Sequence, residues 1–368
     1  MKNHRNRVIS VTLAVSIFAA MVLWVGIGCH SSTSTPAPNP TDTTGKGNPQ
    51  PSIDTVEFSF AVFGCNRLAA GDTVGVPSTA NIAQLDRTFT DMMNLSPQPE
   101  YVFDVGDLVL GKVTDTSILG SQLRAWRQHY EASPIASSGI KLVAVAGNHE
   151  SNDGGSSSDL CEKKWLEVMS PYIVGSNGPG VGGADNLATD QSRLTYSFNY
   201  DDTHFVTMNS DPSGQGSTVP INWVSQDFAA ARAAGAKHIF ALAHKPAYAW
   251  ENDGSSSLTT ATQTALWSAM TTNHVEAMLT AHNHVYRRLQ PKGSGTPWMI
   301  IPGNGGSTLD SNLPADQNYG FTVVSVMKSG KVKMKTYARA FGPLYNSPSP
   351  AATYPTTVVD TADITWGN

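Results

Sequence analysis

Four short apolar runs in this chain each lead directly into side chains able to bind a cation. Residues 101–105 run into Gly106-Asp107, and 141–146 into Gly147-Asn148-His149-Glu150. Residues 237–243 run into His244-Lys245-Pro246, and 275–280 into Ala281-His282-Asn283-His284. Apolar stretches of this length, separated by segments of helical spacing, read as buried strands. Two histidines at i and i+2 just past a strand can both turn into the space beyond the sheet's edge, where a neutral imidazole binds metal. Carboxylate, amide and imidazole at four strand ends therefore form a divalent-metal constellation.

The intervening sequence fixes how those strands connect. Residues 57–63 are a further strand, buried on both faces, which ends at Gly64-Cys65-Asn66-Arg67. Ser78 or Thr79 is expected to cap a helix whose apolar positions Ile82, Leu85, Phe89, Met92 and Met93 recur at three and four. Strand, helix and strand again gives a right-handed crossover and largely parallel pairing. A second helix is predicted over 117–132. Residues 151–193, rich in Gly, Ser, Asn and Asp with one short helical stretch at 161–169, read as an elaborated loop above the site. Segments 196–200 and 204–209 flank Asp201-Asp202-Thr203 as a hairpin, and helices near 222–234 and 258–272 surround the strand leading to His244. A strand at 298–301, the run Gly303-Asn304-Gly305-Gly306, and a hairpin of 321–327 with 331–337 complete the pattern. Parallel units followed by antiparallel hairpins fit an α/β fold: two mixed β-sheets packed as a sandwich with helices on the outside. A chain of 368 residues, 40% of them hydrophobic, supplies enough core for one such domain. Its expected limits are 57–345, with a C-terminal extension over 346–368.

The chain's first residues follow a different logic. Lys2, Arg5 and Arg7 precede an apolar run over 8–28 ending in Gly26-Ile27-Gly28-Cys29, so 1–29 reads as an export segment. The ending resembles a bacterial lipobox with Gly26 where leucine is expected, and lipidation of Cys29 is the first expectation. The run is also long enough to span a bilayer as an uncleaved anchor. Residues 30–56, dominated by Ser, Thr, Pro, Asn and Gly, read as an extended tether. An exported, membrane-held periplasmic or cell-surface lipoprotein is the expected setting. There Cys65 and Cys161 could pair as a disulfide. A net charge of -5 with 14% charged residues leaves no basic footprint for nucleic acid.

In order and strand context, the blocks resemble the calcineurin-like metallophosphoesterases, whose pattern runs D-x-H, G-D, G-N-H-[DE], H, G-H-x-H. His244, Pro246 and Tyr248, with Tyr286 and Arg288 after the last block, bring it nearest the purple acid phosphatase branch. The resemblance implies hydrolysis of small-molecule phosphomonoesters or diesters by a hydroxide formed on bound metal, with one or two ions of zinc, iron or manganese per chain. It implies that Asp107 bridges two metal positions, that Asn148, His244 and His282 complete the second, and that His284 faces the first. His149 would contact the phosphoryl group as donor or acid, and Glu150 would orient a neighbouring histidine. The chain departs from the family where Cys65 and Arg67 stand in place of an aspartate and a histidine, where Leu110 replaces a tyrosine, and where Ala281 replaces a glycine. Three readings of that first position stay open: Cys65 binds as a thiolate, one ion is held with Arg67 supplying positive charge, or catalysis is lost and a surface lipoprotein keeps only ligand or partner binding.

Overall fold

Along β1 (Val56–Phe63), Phe58, Phe60 and Val62 alternate with Ser59, Ala61 and Phe63, and all six are buried. A strand buried on both faces needs something apolar packed on each side. The computed structural model, which describes residues 54–111, 114–151, 158–250 and 257–367, supplies a second sheet on one side and helices on the other.

The chain runs from β1 through α1 (Ile82–Met93) to β2 (Tyr101–Asp104), and through α2 (Thr116–Ala132) to β3 (Lys141–Ala144). The short α3 (Asn148–Ser151) and then α4 (Ser158–Met169) lead to the hairpin of β4 (Tyr196–Tyr200) and β5 (Thr203–Met208). Next come α5 (Ile221–Ala233), β6 (His238–Ala243), α6 (Thr260–Thr272), β7 (Ala277–Leu279), β8 (Tyr286–Leu289) and β9 (Trp298–Pro302). The chain ends in β10 (Tyr319–Met327), β11 (Val332–Arg339) and β12 (Thr357–Asp363). Two six-stranded sheets result, ordered β12-β11-β10-β1-β2-β3 and β4-β5-β6-β7-β9-β8. Both are mixed, so the α/β sandwich expected from the sequence is the observed fold.

Between the sheets lies a layer of aromatic and branched side chains. Phe60 meets Phe103, Phe205 and Phe240 edge-on at 5.6, 5.1 and 5.0 Å. Such pairs add about 0.5–1.5 kcal/mol each beyond the area they bury. Outside the first sheet, Leu85, Phe89, Leu123 and Trp126 of α1 and α2 cover Ala61, Phe63 and Val102. Outside the second, Val224, Phe228, Leu266 and Trp267 of α5 and α6 cover Val206, Ile239 and Met278.

Parallel register is what assembles the site. Phe63 pairs with Asp104 and Asp104 with Ala144, so β1, β2 and β3 end together. Leu242 pairs with Leu279, so β6 and β7 end together in the other sheet. The ends are stitched across the sandwich by Gly64 N–H to Pro302 O at 3.2 Å and Gly305 N–H to Gly64 O at 3.1 Å.

Several sequence expectations are corrected. The cap of α1 is Asn81, whose side chain accepts from the Gln84 N–H, whereas Thr79 turns its hydroxyl to the Leu110 N–H at 2.8 Å. The segment after residue 345 belongs to the fold: β12 pairs antiparallel with β11 over 357–363. Asn81, Gln84 and Arg87 bind carbonyls of Tyr345, Ser347, Ser349 and Tyr354 on the way there. Cys65 and Cys161 are buried in different core clusters, Cys65 between the sheets and Cys161 under the helices of the first sheet. In its described part, the long segment before β4 is tied to two helices, with Asp185 capping the Asn222 and Trp223 amides of α5 and Thr189 and Gln191 held by Glu162 of α4. The expected export segment and all but the last residues of the tether lie outside the described residues. Among those described, no helix is long and apolar enough to cross a membrane.

Candidate metal centre

Residues just past the strand ends take up an unusual backbone. Cys65 after β1, Asp107 after β2 and His282 after β7 have φ of 57°, 59° and 65°. For residues with a Cβ this left-handed conformation costs about 1–2 kcal/mol each, and it persists where surrounding bonds impose it. Those bonds are present. Asp107 O accepts from the Asn66 and Arg67 amides at 3.0 and 3.1 Å, and Cys65 is held by its N–H to Gly106 O at 2.9 Å and its O from Ser307 N–H at 2.8 Å. The His282 N–H points at Cys65 Sγ, 3.1 Å away. Gly147 is needed for the close approach of β2 and β3, because a Cβ there would lie 2.3 Å from Asp107 N.

The result is a convergence on one nitrogen. His244 Nε2 is 3.1 Å from Asp107 Oδ1, 3.1 Å from Asn148 Oδ1 and 3.2 Å from His282 Nδ1. Its other ring nitrogen, Nδ1, donates to the Val105 carbonyl at 2.8 Å, which fixes the tautomer with the Nε2 lone pair turned inward. A carboxylate oxygen, an amide oxygen and imidazole nitrogens facing one another in a buried space repel unless a cation lies among them. The residues therefore fit a metal ion, and their chemistry is that of a transition metal's ligands. Burial would keep His244 neutral, yet the Asp107 carboxylate and the Val105 carbonyl outweigh it and raise its pKa, so a proton is drawn to the place a metal would take. Burial, with repulsion from His244, pushes His282 down to about 2 and so keeps it a neutral imidazole, the form a metal would bind. Burial alone would raise the Asp107 carboxyl, but His244, His149 and Arg67 hold it well below the usual range.

A sequence profile now decides the family, matching residues 66–286, more than half of the chain, under the description calcineurin-like phosphoesterase. The chain belongs to the calcineurin-like phosphoesterase family. Solved structures share the fold at low identity. A purple acid phosphatase from yellow lupin aligns with TM-score 0.55 and 15% identity over 85% of this chain and 54% of its own. A dimetal phosphatase from Danio rerio gives 0.54 and 11% over 85% and 100%. GAP50, the anchor in the inner membrane complex of Plasmodium, gives 0.51 and 12% over 85% and 90%. The chain thus spans about half the length of the lupin enzyme. No curated protein sequence matches it.

Asp107, Asn148, His244 and His282, expected from the sequence to share a metal, lie together in the structure. His284 is buried nearby, with its N–H on Asp310 Oδ2 at 2.7 Å and its Nδ1 donating to Thr308 O at 2.6 Å. Burial lowers its pKa, and the charges of Arg67 and Asp107 reach it. His149 Nδ1 donates to the Leu110 carbonyl, and its Nε2 stands 3.8 Å from Asp107 Oδ2. On that same oxygen, Arg67 Nε sits at 3.2 Å. Cys65 Sγ lies with Asp107 and His244 in a cluster whose ligand atoms are within 4.8 Å of one another. Complete burial, with the Asp107 charge, pushes its thiol well above the usual range, away from the thiolate a metal needs.

Glu150 is corrected in role. It holds backbone instead of a histidine, accepting from the amides of Asp107, Val109 and Gly147. Burial and Asp107 push its pKa up to about 7. Tyr286 and Arg288 are also engaged elsewhere, both bonded to Asp360 of β12. The sequence reading missed Asp104, whose buried carboxyl lies behind the site, and Thr308 and Asp310, which fix His284. No spacing rule could have found these last two, since they sit in an irregular stretch after the glycine run.

Proposed function

We propose that this protein hydrolyses phosphate esters, monoesters or diesters, at a metal centre made by Asp107, Asn148, His244 and His282. The convergence of three ligand atoms on His244 Nε2 carries this reading. A zinc, iron or manganese ion held there supplies positive charge at the phosphoryl oxygens and a more acidic water. Asn148, an uncharged ligand, leaves more of that positive charge for the substrate. Asp107 divides its oxygens, Oδ1 toward His244 and Oδ2 toward Arg67 and His149. With Nδ1 committed to the Leu110 carbonyl, a protonated His149 donates from Nε2 to the oxygen leaving phosphorus. Water gives phosphorus its new oxygen and loses a proton to solvent, the departing alkoxide takes the His149 proton and leaves as the alcohol, and His149 is reprotonated from solvent. Arg67 offers the guanidinium geometry that matches a phosphate.

Metal-loaded protein is expected to release nitrophenol from p-nitrophenyl phosphate. Asn148→Ala is expected to reduce that rate by more than the roughly 10–100-fold that outer partners of a metal ligand are worth. A rate untouched by the substitution would sink the enzymatic reading.

A second reading is favoured by one observation: Cys65 and Arg67 stand where the family has metal ligands. A domain that binds a phosphorylated ligand without turnover would keep ion and phosphate binding and show no hydrolysis. That GAP50, which shares this fold, is described as an anchor supports such a use.

We also propose that the domain works outside the cytoplasm, held at a membrane by lipid on Cys29. Support comes from the basic and apolar order of residues 1–29 and the polar stretch that follows. Cys29→Ser is expected to move the protein from the membrane to the soluble fraction; retention would favour an uncleaved anchor.

A further inference from the structure

We propose that the Arg67 guanidinium takes the place of the first of two metal ions, so that this centre holds a single ion and grips phosphate with an arginine beside it. The inference rests on the metal centre proposed above, but not on turnover.

The geometry divides cleanly at Asp107. A carboxylate can bridge two ions with one oxygen on each. Here Oδ1 faces His244 Nε2 at 3.1 Å, on the side where Asn148 and His282 complete a ligand set, and Oδ2 faces Arg67 Nε at 3.2 Å. A guanidinium has no lone pair for a metal and is never deprotonated in a protein, so it repels a cation from that side. The remaining first-position residues do not make up the loss. His284 is a single imidazole. Cys65 Sγ accepts the His282 N–H and clusters with Asp107 and His244, and His282 and His244 already belong to the ligand set on the Oδ1 side.

Arg67 is also placed for this task by its backbone. Its N–H is bound to Asp107 O at 3.1 Å, its O accepts from Ser307 Oγ at 3.0 Å, and it forms an isolated bridge with Ala80. The side chain keeps 19% of its surface exposed, so it is anchored at Asp107 and open on another side. His149 Nε2, 3.8 Å from the same carboxylate oxygen, completes a pair of groups suited to an anion. A phosphate would thus lie between one ion and two protein donors, where the family pattern would give it two ions.

Metal content by mass spectrometry, after chelation, reloading with manganese or zinc and desalting, tests this directly. One ion per chain is expected for the wild type and two for Cys65→Asp/Arg67→His, which restores the family's residues. Two ions in the wild type would overturn the inference and leave the phosphoesterase reading standing. No ion in the wild type would overturn the centre itself. Should the double variant not fold, calorimetry with inorganic phosphate on ion-loaded wild type and Arg67→Gln decides. Arg67→Gln is expected to bind phosphate about tenfold or more weakly with its ion count unchanged. Equal phosphate affinity would overturn the proposal.

Discussion

Glu150 Oε2 accepts the backbone N–H of Asp107 at 3.0 Å and that of Gly147 at 2.9 Å, while its Oε1 accepts Val109 at 3.0 Å. One buried carboxyl therefore clamps the ends of β2 and β3, which carry Asp107 and Asn148. Glutamine offers one oxygen and one NH2, so in either orientation at least one amide N–H would face another donor. Glu150→Gln is expected to cost about 1–3 kcal/mol, the penalty of an unsatisfied buried group, and to weaken metal binding. Thermal denaturation and metal titration check it; an unchanged Tm would mean the clamp contributes nothing.

Gly147→Ala should separate site from fold. The added Cβ would lie 2.3 Å from Asp107 N and 2.4 Å from Asp107 Oδ1, against atoms that cannot swing away. Asp107 must shift, and the distance to His244 Nε2 opens. Bound metal is expected to fall below one-tenth of the wild-type amount, roughly the loss of a ligand's positioning, with a native far-UV spectrum retained because the added Cβ meets Asp107 and Glu150 past the ends of β2 and β3 rather than a core side chain. Wild-type metal content in this variant would show that the close approach is not needed.

The strands that carry the site were legible because they are buried on both faces and announce themselves as apolar runs. Their polar ends were legible because a carboxylate, an amide and imidazoles at successive strand ends differ from ordinary turn residues. What escaped was held by tertiary contacts. β12 escaped because its sequence, Thr357-Val358-Val359-Asp360-Thr361-Ala362-Asp363, is half polar and mostly exposed, as an edge strand is. Its place is set by pairing with β11 and by Asp360, whose partners Tyr286 and Arg288 are more than seventy residues away. Glu150 was seen as a site residue but given the wrong partner, since side-chain contacts to distant backbone leave no periodic trace. Arg67 was legible as a departure from the family pattern, and only geometry put it on the Oδ2 side of Asp107.

Because β12 is part of the first sheet, a chain ending at residue 345 is expected to be insoluble or to unfold far more readily than the full chain. The finer test is Asp360→Ala. Asp360 accepts from Tyr286 Oη at 2.6 Å and from Arg288 Nε and Nη2 at 2.7 and 3.1 Å, tying the edge of one sheet to the other. The group is partly exposed, so screening reduces its value, and a loss of about 1–2 kcal/mol is expected. Urea denaturation measures it, and no change in midpoint would show the tie to be idle.

Asp104 gives the clearest dependence on pH. Its carboxyl is fully buried at the end of β2, with neither oxygen hydrogen-bonded to a side-chain or backbone donor of good geometry among the described residues. Burial, reinforced by the charge of Glu150, pushes its pKa well above the usual carboxylate range, and the nearby Gly106 amide offsets only part of this. In the unfolded chain an aspartate titrates near ~3.9. The folded state therefore holds this proton more tightly than the unfolded state does. Its contribution to stability is complete below ~3.9 and is lost as pH rises, by about 1.4 kcal/mol per pH unit, until the folded carboxyl itself ionises. Asp104→Asn, of nearly the same shape and without a charge to titrate, removes that slope. The variant is expected to match the wild type near pH 4 and to melt at a higher temperature at pH 7. Melting curves of both proteins across that range test it, and a constant difference between them would mean that Asp104 does not carry a proton in the fold.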